Sequence, residues 1–540
     1  MRILNTLRLH PLSQSSPLGS ASRYLLRSIA AARTRLHFYE LESRNLLLEE
    51  EEFLNSKRHT NFNMAASAPI SKSIYIGPFV HSKSLSELEI QEHGAIGVDE
   101  DGIIRFVERN LQDGSLSNLI QQKGDDWTDA QIVEINGSGF FFPGFIDTHV
   151  HAPQHPNTGL FGKTTLLDWL QKYTFPMESS FKNVPLAHRV YQNFVSRTLS
   201  HGTTTAAYFA TIHVPATNAL ADICLKRGQR ALVGRVCMNS DLSPEYYRDE
   251  SVESSYADSK ASIDYIRSID PKGEIVKPII TPRFAPSCTT DCLSAMGRLA
   301  KETDAHVQTH ISENKGEIEL VKELFPESKS YTDVYETYGL LTDKTILAHA
   351  VHLSDEERKL ILERKSKISH CPASNTAITS GCAPIRSLLD EGHTIGLGTD
   401  VSGGNSPSIL ENVRQAIWVS RHLCIQTSSD SVKLSTEEAL YLATRGGAAV
   451  VGMEEKVGGF EVGKEWDAQM ISLGVVSEEG CQDGAFEEGP VDVFGWESWS
   501  DKVEKWVYSG DDRNTVAVWV KGRLVHRTSR YPGVMRDATP

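Results

Sequence analysis

The 540-residue chain has no Cys-x-x-Cys pair and no surplus of basic charge. It also lacks any apolar run of the roughly 18 residues that a bilayer-spanning helix needs. Each absence removes a class of function. With 55 basic against 70 acidic residues and a net charge of −15, the chain has the wrong sign for non-specific binding to nucleic acid, whose phosphates demand a basic footprint. No membrane span is expected, and a small molecule remains as the partner. The eight cysteines follow no framework. Cys288 and Cys292 are the one close pair, and their neighbours do not resemble a zinc ribbon. Free, buried thiols in a reducing compartment, the cytoplasm, are expected.

Acidic residues are missing from Met1 to Tyr39, where Arg2, Arg8, Arg23, Arg27, Arg33 and Arg35 lie among Ser, Leu and Ala. That composition is shared by mitochondrial transit peptides. An upstream extension is the other reading, because an acidic "LLLEEEEF" follows and Met64 opens a stretch from which a compact domain can begin. Residues 1–63 are accordingly set aside as a leader or extension.

What is present begins with two β-rich flanks. "SIYIGPFVHS", "GAIGVDEDGIIRFVE" and "AQIVEINGSGFFFPG" alternate apolar and polar residues between Gly and Asp turns, and "WDAQMISL" and "NTVAVWVKGRLVH" repeat the texture at the far end. These predict short antiparallel strands of one small sheet domain, built from residues 64–142 and 450–540. Between them, residues 143–449 alternate apolar strands with helical periodicity. "FFPGFIDTHVH", "GTTTAAYFA", "ALVGRVCMN", "KPIITPRF", "AHVQTHIS", "TILAHAV", "SKISHCP" and "TIGLGTD" supply eight strands. The predicted class is therefore α/β, a (β/α)8 TIM-like barrel with a small β-sheet domain from both flanks.

Polar residues gather at the ends of those strands. His149 and His151 close the first; alternation in a strand points residues i and i+2 the same way, so the two imidazoles converge. Arg283, His310, His349 and Asp400 end four later strands. Strand C-termini form the mouth of such a barrel, so these residues meet there. Imidazoles with a carboxylate suit zinc or iron, and a position left open to water generates hydroxide near neutral pH. A single histidine is more often a core or surface residue, and His370, which also ends a strand, receives no ligand role. The combination of His149, His151, His310, His349 and Asp400 decides in favour of a metal.

"PGFIDTHVH", "QTHISEN", "LAHAVHLSDEE", "SHCPASN" and "GLGTD" together resemble the metal-dependent amidohydrolase superfamily. "HAPQ", "TPRFAPSC", "HISEN" and "GLGTDVSGG" narrow the resemblance to the guanine-deaminating family, over roughly residues 72–525. The Pro-Cys-x-x-Cys signature of cytidine-type deaminases is absent. The resemblance implies one zinc ion (Zn2+) on His149, His151, His310 and Asp400. It also implies His349 holding the water on the metal, Glu313 as proton shuttle, and a homodimer. The expected catalytic set is Glu313, His349 and Asp400.

Base recognition follows from donor geometry. Guanine presents O6 and N7 as adjacent acceptors, which an arginine fork matches bidentately. Arg283 is the candidate, with Gln154 for another ring edge and Phe284 as an apolar face; His151, His310, Glu313 and Asp400 complete the expected substrate contacts. Two plainer readings stand beside these: Glu313 as a helix-capping acid, and Arg283 as a brace paired with a carboxylate. The expected reaction is hydrolytic deamination of guanine to xanthine and ammonia. The alternatives are another aminated heterocycle (a pterin, adenine or a triazine), or a non-catalytic barrel that binds a partner.

Overall fold

The computed structural model describes residues 70–111, 116–135, 137–476 and 489–533. The expected leader, residues 1–63, lies outside them. The N-terminal flank forms β1 (Ser73–Ser84), β2 (Glu87–Val98), β3 (Ile104–Glu108), β4 (Gln131–Glu134) and β5 (Gly139–Pro143). The barrel strands are β6 (Phe145–His151), β7 (Thr203–Phe209), β8 (Arg230–Gly234) with its short continuation β9 (Val236–Cys237), β10 (Val276–Pro282), β11 (His306–Ile311), β12 (Thr345–His349), β13 (Lys367–His370) and β14 (Ile395–Leu397). The C-terminal flank adds β15 (Ala468–Ser472), β16 (Gly474–Val475), β17 (Asp492–Val493), β18 (Thr515–Val520) and β19 (Arg523–Arg527).

Strands β6, β7, β8, β10, β11, β12, β13 and β14 lie side by side in that order, every described pair parallel. Helices such as Val184–Ser200, Val214–Arg227 and Thr290–Thr303 connect them. The barrel closes just beyond the end of β14. Asp400 N donates to His149 O at 2.9 Å and His151 N to Val401 O at 3.2 Å, while Asp147 accepts from the amide and the hydroxyl of Thr399. All eight strands read from the sequence are present, because each is an apolar run buried on both faces, the pattern a covered parallel sheet imposes.

The run "FFPGFIDTHVH" is two strands, not one. Its first half, β5, pairs antiparallel with β15, from Ala468 opposite Pro143 to Ser472 opposite Gly139; its second half, β6, opens the barrel. Gly144 is the pivot. A Cβ there would lie 2.2 Å from Thr204 Oγ1, so only glycine lets the chain cross from sheet to barrel at this point. The β5–β15 ladder also joins the two flanks, as expected, into one sheet ordered β19-β18-β15-β5-β1-β2-β3, with β4 beside β1. This sheet is mixed rather than antiparallel: β4 and β5 run parallel to β1. The helix Leu116–Lys123 between β3 and β4 supplies the crossover that parallel pairing requires. Among the described residues no helix is long and apolar enough to cross a membrane, and the seven described cysteines are free.

Candidate active site

The strand ends deliver their side chains to one point. His149 Nε2 lies 3.3 Å and His151 Nε2 3.4 Å from Asp400 Oδ1, and His310 Nε2 is 3.2 Å from His151 Nε2. The ligand atoms of these four residues all fall within 4.8 Å of one another. Asp400 is brought there by a left-handed backbone, φ 46°, which non-glycine residues rarely adopt and which recurs at functional sites. Gly398 makes room: a Cβ would stand 2.9 Å from that of His149.

The outer atoms of the imidazoles fix where their protons sit. His310 Nδ1 faces the Arg283 carbonyl at 2.6 Å. A carbonyl only accepts, so Nδ1 carries the hydrogen and Nε2 presents a bare lone pair. His149 Nδ1 faces Gln308 Oε1 at 2.8 Å, and the Gln308 amide is oriented by donating from Nε2 to Thr148 O at 3.1 Å. His149 Nε2 is thus also bare, and it is buried without a hydrogen-bond partner. Bare nitrogens converging on a carboxylate oxygen repel one another unless a cation lies between them, so the donor set fits a divalent metal. Burial, then the neighbouring imidazoles, hold His151 and His310 well below the ordinary histidine range, which keeps them neutral and able to ligate.

Two further groups flank this quartet. His349, at the end of β12 with φ 74°, is anchored through Nδ1 to Asn375 Oδ1 at 2.8 Å. Its Nε2 stands 3.4 Å from Glu313 Oε2 and 3.8 Å from Asp400 Oδ2. Glu313 receives the Ser380 hydroxyl on Oε1 at 2.9 Å. Burial, and then the charge of Asp400, push its carboxyl up to about 8. For Asp400 burial acts in the same direction, but the imidazoles of His149 and His349 outweigh it and leave the group below its usual range. Two adjacent carboxyl groups with pKa values driven apart are suited to opposite halves of a proton transfer.

The plainer reading of Glu313 as a capping acid is not what the structure contains. Asn314 caps the helix Lys315–Leu324 and Glu317 completes its box. Glu317 Oε2 accepts the Glu313 and Asn314 amides, which frees the Glu313 side chain for the pocket.

The pocket is lined by His151, Gln154, Arg283, Phe284, His310, Glu313, His349 and Asp400, and by Leu166, Trp169, Leu170, Glu317 and Ile378. Every residue singled out from the sequence as a substrate contact lies on this wall. Sequence reading missed the segment after β6. Leu166, Trp169 and Leu170 belong to it, as does Glu178, which is fully buried and holds Arg283 by two bonds of 2.7 and 3.1 Å. The brace considered for Arg283 therefore exists, in a residue that also faces the pocket. Gln308, Asn375 and Ser380 were missed too, since a lone amide or hydroxyl carries no spacing signal. His370, given no ligand role, lies outside the quartet, buried without a partner for either ring nitrogen. A second group, His149, His349 and Cys371, shares His149 with the quartet and His349 with the pocket wall, and is not a separate site.

A profile of the Amidohydrolase family matches residues 140–525. The chain belongs to the amidohydrolase family. A probable guanine deaminase of Schizosaccharomyces pombe is 49% identical over 84% of this chain and 83% of its own. The guanine deaminase of Dictyostelium discoideum is 44% identical over 84% and 98% respectively. Among solved structures, guanine deaminase from C. acetobutylicum with guanine bound in its active site aligns with a TM-score of 0.74 and 34% identity, covering 84% of this chain and 100% of that one.

Proposed function

We propose that the protein is a zinc-dependent guanine aminohydrolase, converting guanine and water to xanthine and ammonia. The observation that carries this reading is one pocket with the His149, His151, His310 and Asp400 quartet beside Glu313, and the Arg283 guanidinium and Gln154 amide on the same wall. Relatives 44 and 49% identical that bear the guanine deaminase name support it. Three imidazoles and one carboxylate with an open position suit zinc; the ion, when bound, supplies a nucleophile by lowering the pKa of water towards neutrality.

The remaining chemistry belongs to the side chains. His349, its ring oriented by Asn375, directs Nε2 into the space between Glu313 Oε2 and Asp400 Oδ2 and holds the attacking water by a hydrogen bond. Asp400 takes the proton released as the water oxygen bonds to guanine C2. Glu313, with its carboxyl near neutrality, places a proton on ring nitrogen N3. The proton on Asp400 then goes to the exocyclic amine, the C2–N bond breaks as the hydroxyl now on C2 returns its proton to Glu313 and becomes the carbonyl of xanthine, and ammonia leaves. Arg283 retains three N–H groups after binding Glu178, enough to pair O6 and N7. Gln154 retains one N–H and one lone pair for another ring edge, and Phe284 supplies an apolar face.

One zinc ion per chain, a homodimer and a cytoplasmic location complete the reading. The family resemblance supports the first two, and the free state of the seven described cysteines fits a reducing compartment. The deciding experiment measures ammonia released from guanine, adenine, a pterin and a triazine by metal-loaded protein. Guanine should be turned over far faster than the others; turnover confined to another base overturns the assignment.

A further inference from the structure

Glu178 lies 27 positions beyond His151, in the short helix Phe175–Ser179, and its side chain bonds to Arg283, Gln154 and Tyr247 rather than to the metal-ligand side chains. It is fully buried, and its two oxygens accept four hydrogen bonds. Oε1 receives Arg283 Nη2 at 3.1 Å and Gln154 Nε2 at 2.8 Å. Oε2 receives Arg283 Nη1 at 2.7 Å and the Tyr247 hydroxyl at 2.8 Å. Arg283 and Gln154 are the two side chains whose donor patterns read the base, and one carboxylate holds both.

The geometry points to Glu178 as a positioning residue for base recognition, setting the angle at which Arg283 and Gln154 meet the purine edge. This rests on the guanine reading. A guanidinium has five N–H groups, and end-on pairing through both Nη atoms leaves Nε–H and a neighbouring Nη–H as a fork on one side. Glu178 thereby selects which edge of Arg283 is free. Phe175 reinforces the choice by packing its ring 5.2 Å from the guanidinium carbon. Gln154 is pinned at both ends, since its Oε1 accepts the Ser402 amide at 3.2 Å. This determines which of its atoms donates.

Only a carboxylate fits the position. All four partners arrive as donors, and an amide of the same shape would point an NH2 group at two of them. Glu178→Gln should therefore tilt Arg283 and Gln154 without touching the metal ligands. In the full metal-loaded protein, kcat/KM for guanine is expected to fall by about 10- to 100-fold, the size associated with misplaced charge-assisted hydrogen bonds. The loss should sit mainly in KM, with metal content unchanged.

The readout that separates positioning from mere support is discrimination against 2-aminopurine, which keeps the C2 amine but has hydrogen in place of O6. Its strength is read as turnover or, by competition, as inhibition. The guanine preference should shrink in Glu178→Gln. Were Glu178 only a structural brace, both ligands would weaken together, and an unchanged preference overturns the inference. If that variant does not fold, Tyr247→Phe removes one of the four donors and leaves the carboxylate; it should raise KM for guanine several-fold and lower the same preference. Unaltered KM and preference in Tyr247→Phe overturn the inference as well. Failure of the unsubstituted, metal-loaded chain to release ammonia from guanine would instead sink the guanine reading, and the inference with it.

Discussion

The Nε2 atoms of His151 and His310 stand 3.2 Å apart, although 159 positions separate the residues in sequence. His310 Nε2 cannot donate, because its only proton is committed to the Arg283 carbonyl. With Asp400 Oδ1 3.4 Å from His151 Nε2, the cluster is short of positive charge by design of its hydrogen bonding. A divalent cation is what such a cluster binds.

Stripping the metal with a chelator should abolish ammonia release while circular dichroism shows the barrel intact. Asp400→Asn should do the same by weakening the site, and added zinc should restore the stripped protein but not fully the variant. Undiminished turnover by protein shown to be metal-free would falsify the hydrolytic mechanism.

Glu313→Gln keeps the shape of the side chain and its contact with Ser380 but removes the transferable proton. General acid–base groups contribute typically 10²- to 10⁴-fold, so kcat should drop by about that factor with bound metal retained. A fall in metal content parallel to the fall in kcat would mean that Glu313 supports the quartet rather than moves protons.

Arg283→Ala has two consequences that a sequence alone does not separate. It removes the side chain proposed to read O6 and N7, and it strands Glu178 as a buried, unpaired carboxylate. Breaking a buried ion pair from one side typically costs about 3–5 kcal/mol, so the melting temperature should fall along with guanine preference. The double variant Arg283→Ala, Glu178→Ala should regain part of the stability but none of the preference. A single variant as stable as the unsubstituted protein would show that the pair contributes little to the fold.

The difference between these cases and the barrel itself explains what was legible. The eight strands could be read because burial on both faces writes each of them as a local apolar run. The convergence of His149, His151, His310 and Asp400 could be read because strand ends of a barrel share one mouth. The division at Gly144 could not, since an apolar run crossing from one sheet to another looks continuous. Nor could Glu178: a single glutamate in a helix of five residues has no periodicity or spacing, and its four donors come from distant segments. Glu313 and Glu317 lie four positions apart, and either suits the start of a helix; only the hydrogen bonds there show that Asn314 is the cap and that Glu317 completes its box.

Gln308 offers a test of the layer behind the metal. Its Oε1 accepts from His149 Nδ1 while its own amide is fixed by Thr148 O, so it sets the tautomer that leaves His149 Nε2 bare. Partners of this kind are typically worth 10- to 100-fold in metal affinity. Gln308→Leu should therefore shift the dependence of activity on free zinc, measured in a metal buffer, to about 10- to 100-fold higher concentration. At saturating zinc the kcat should return close to the original, because the residue does not line the pocket. A lower kcat that no zinc concentration restores, with the titration midpoint unmoved, would place Gln308 in the chemistry instead of behind the ligand. An unchanged titration and unchanged kcat would mean that the ring of His149 is oriented by its packing against Phe209, whose centroid lies 5.3 Å away, and not by the hydrogen bond.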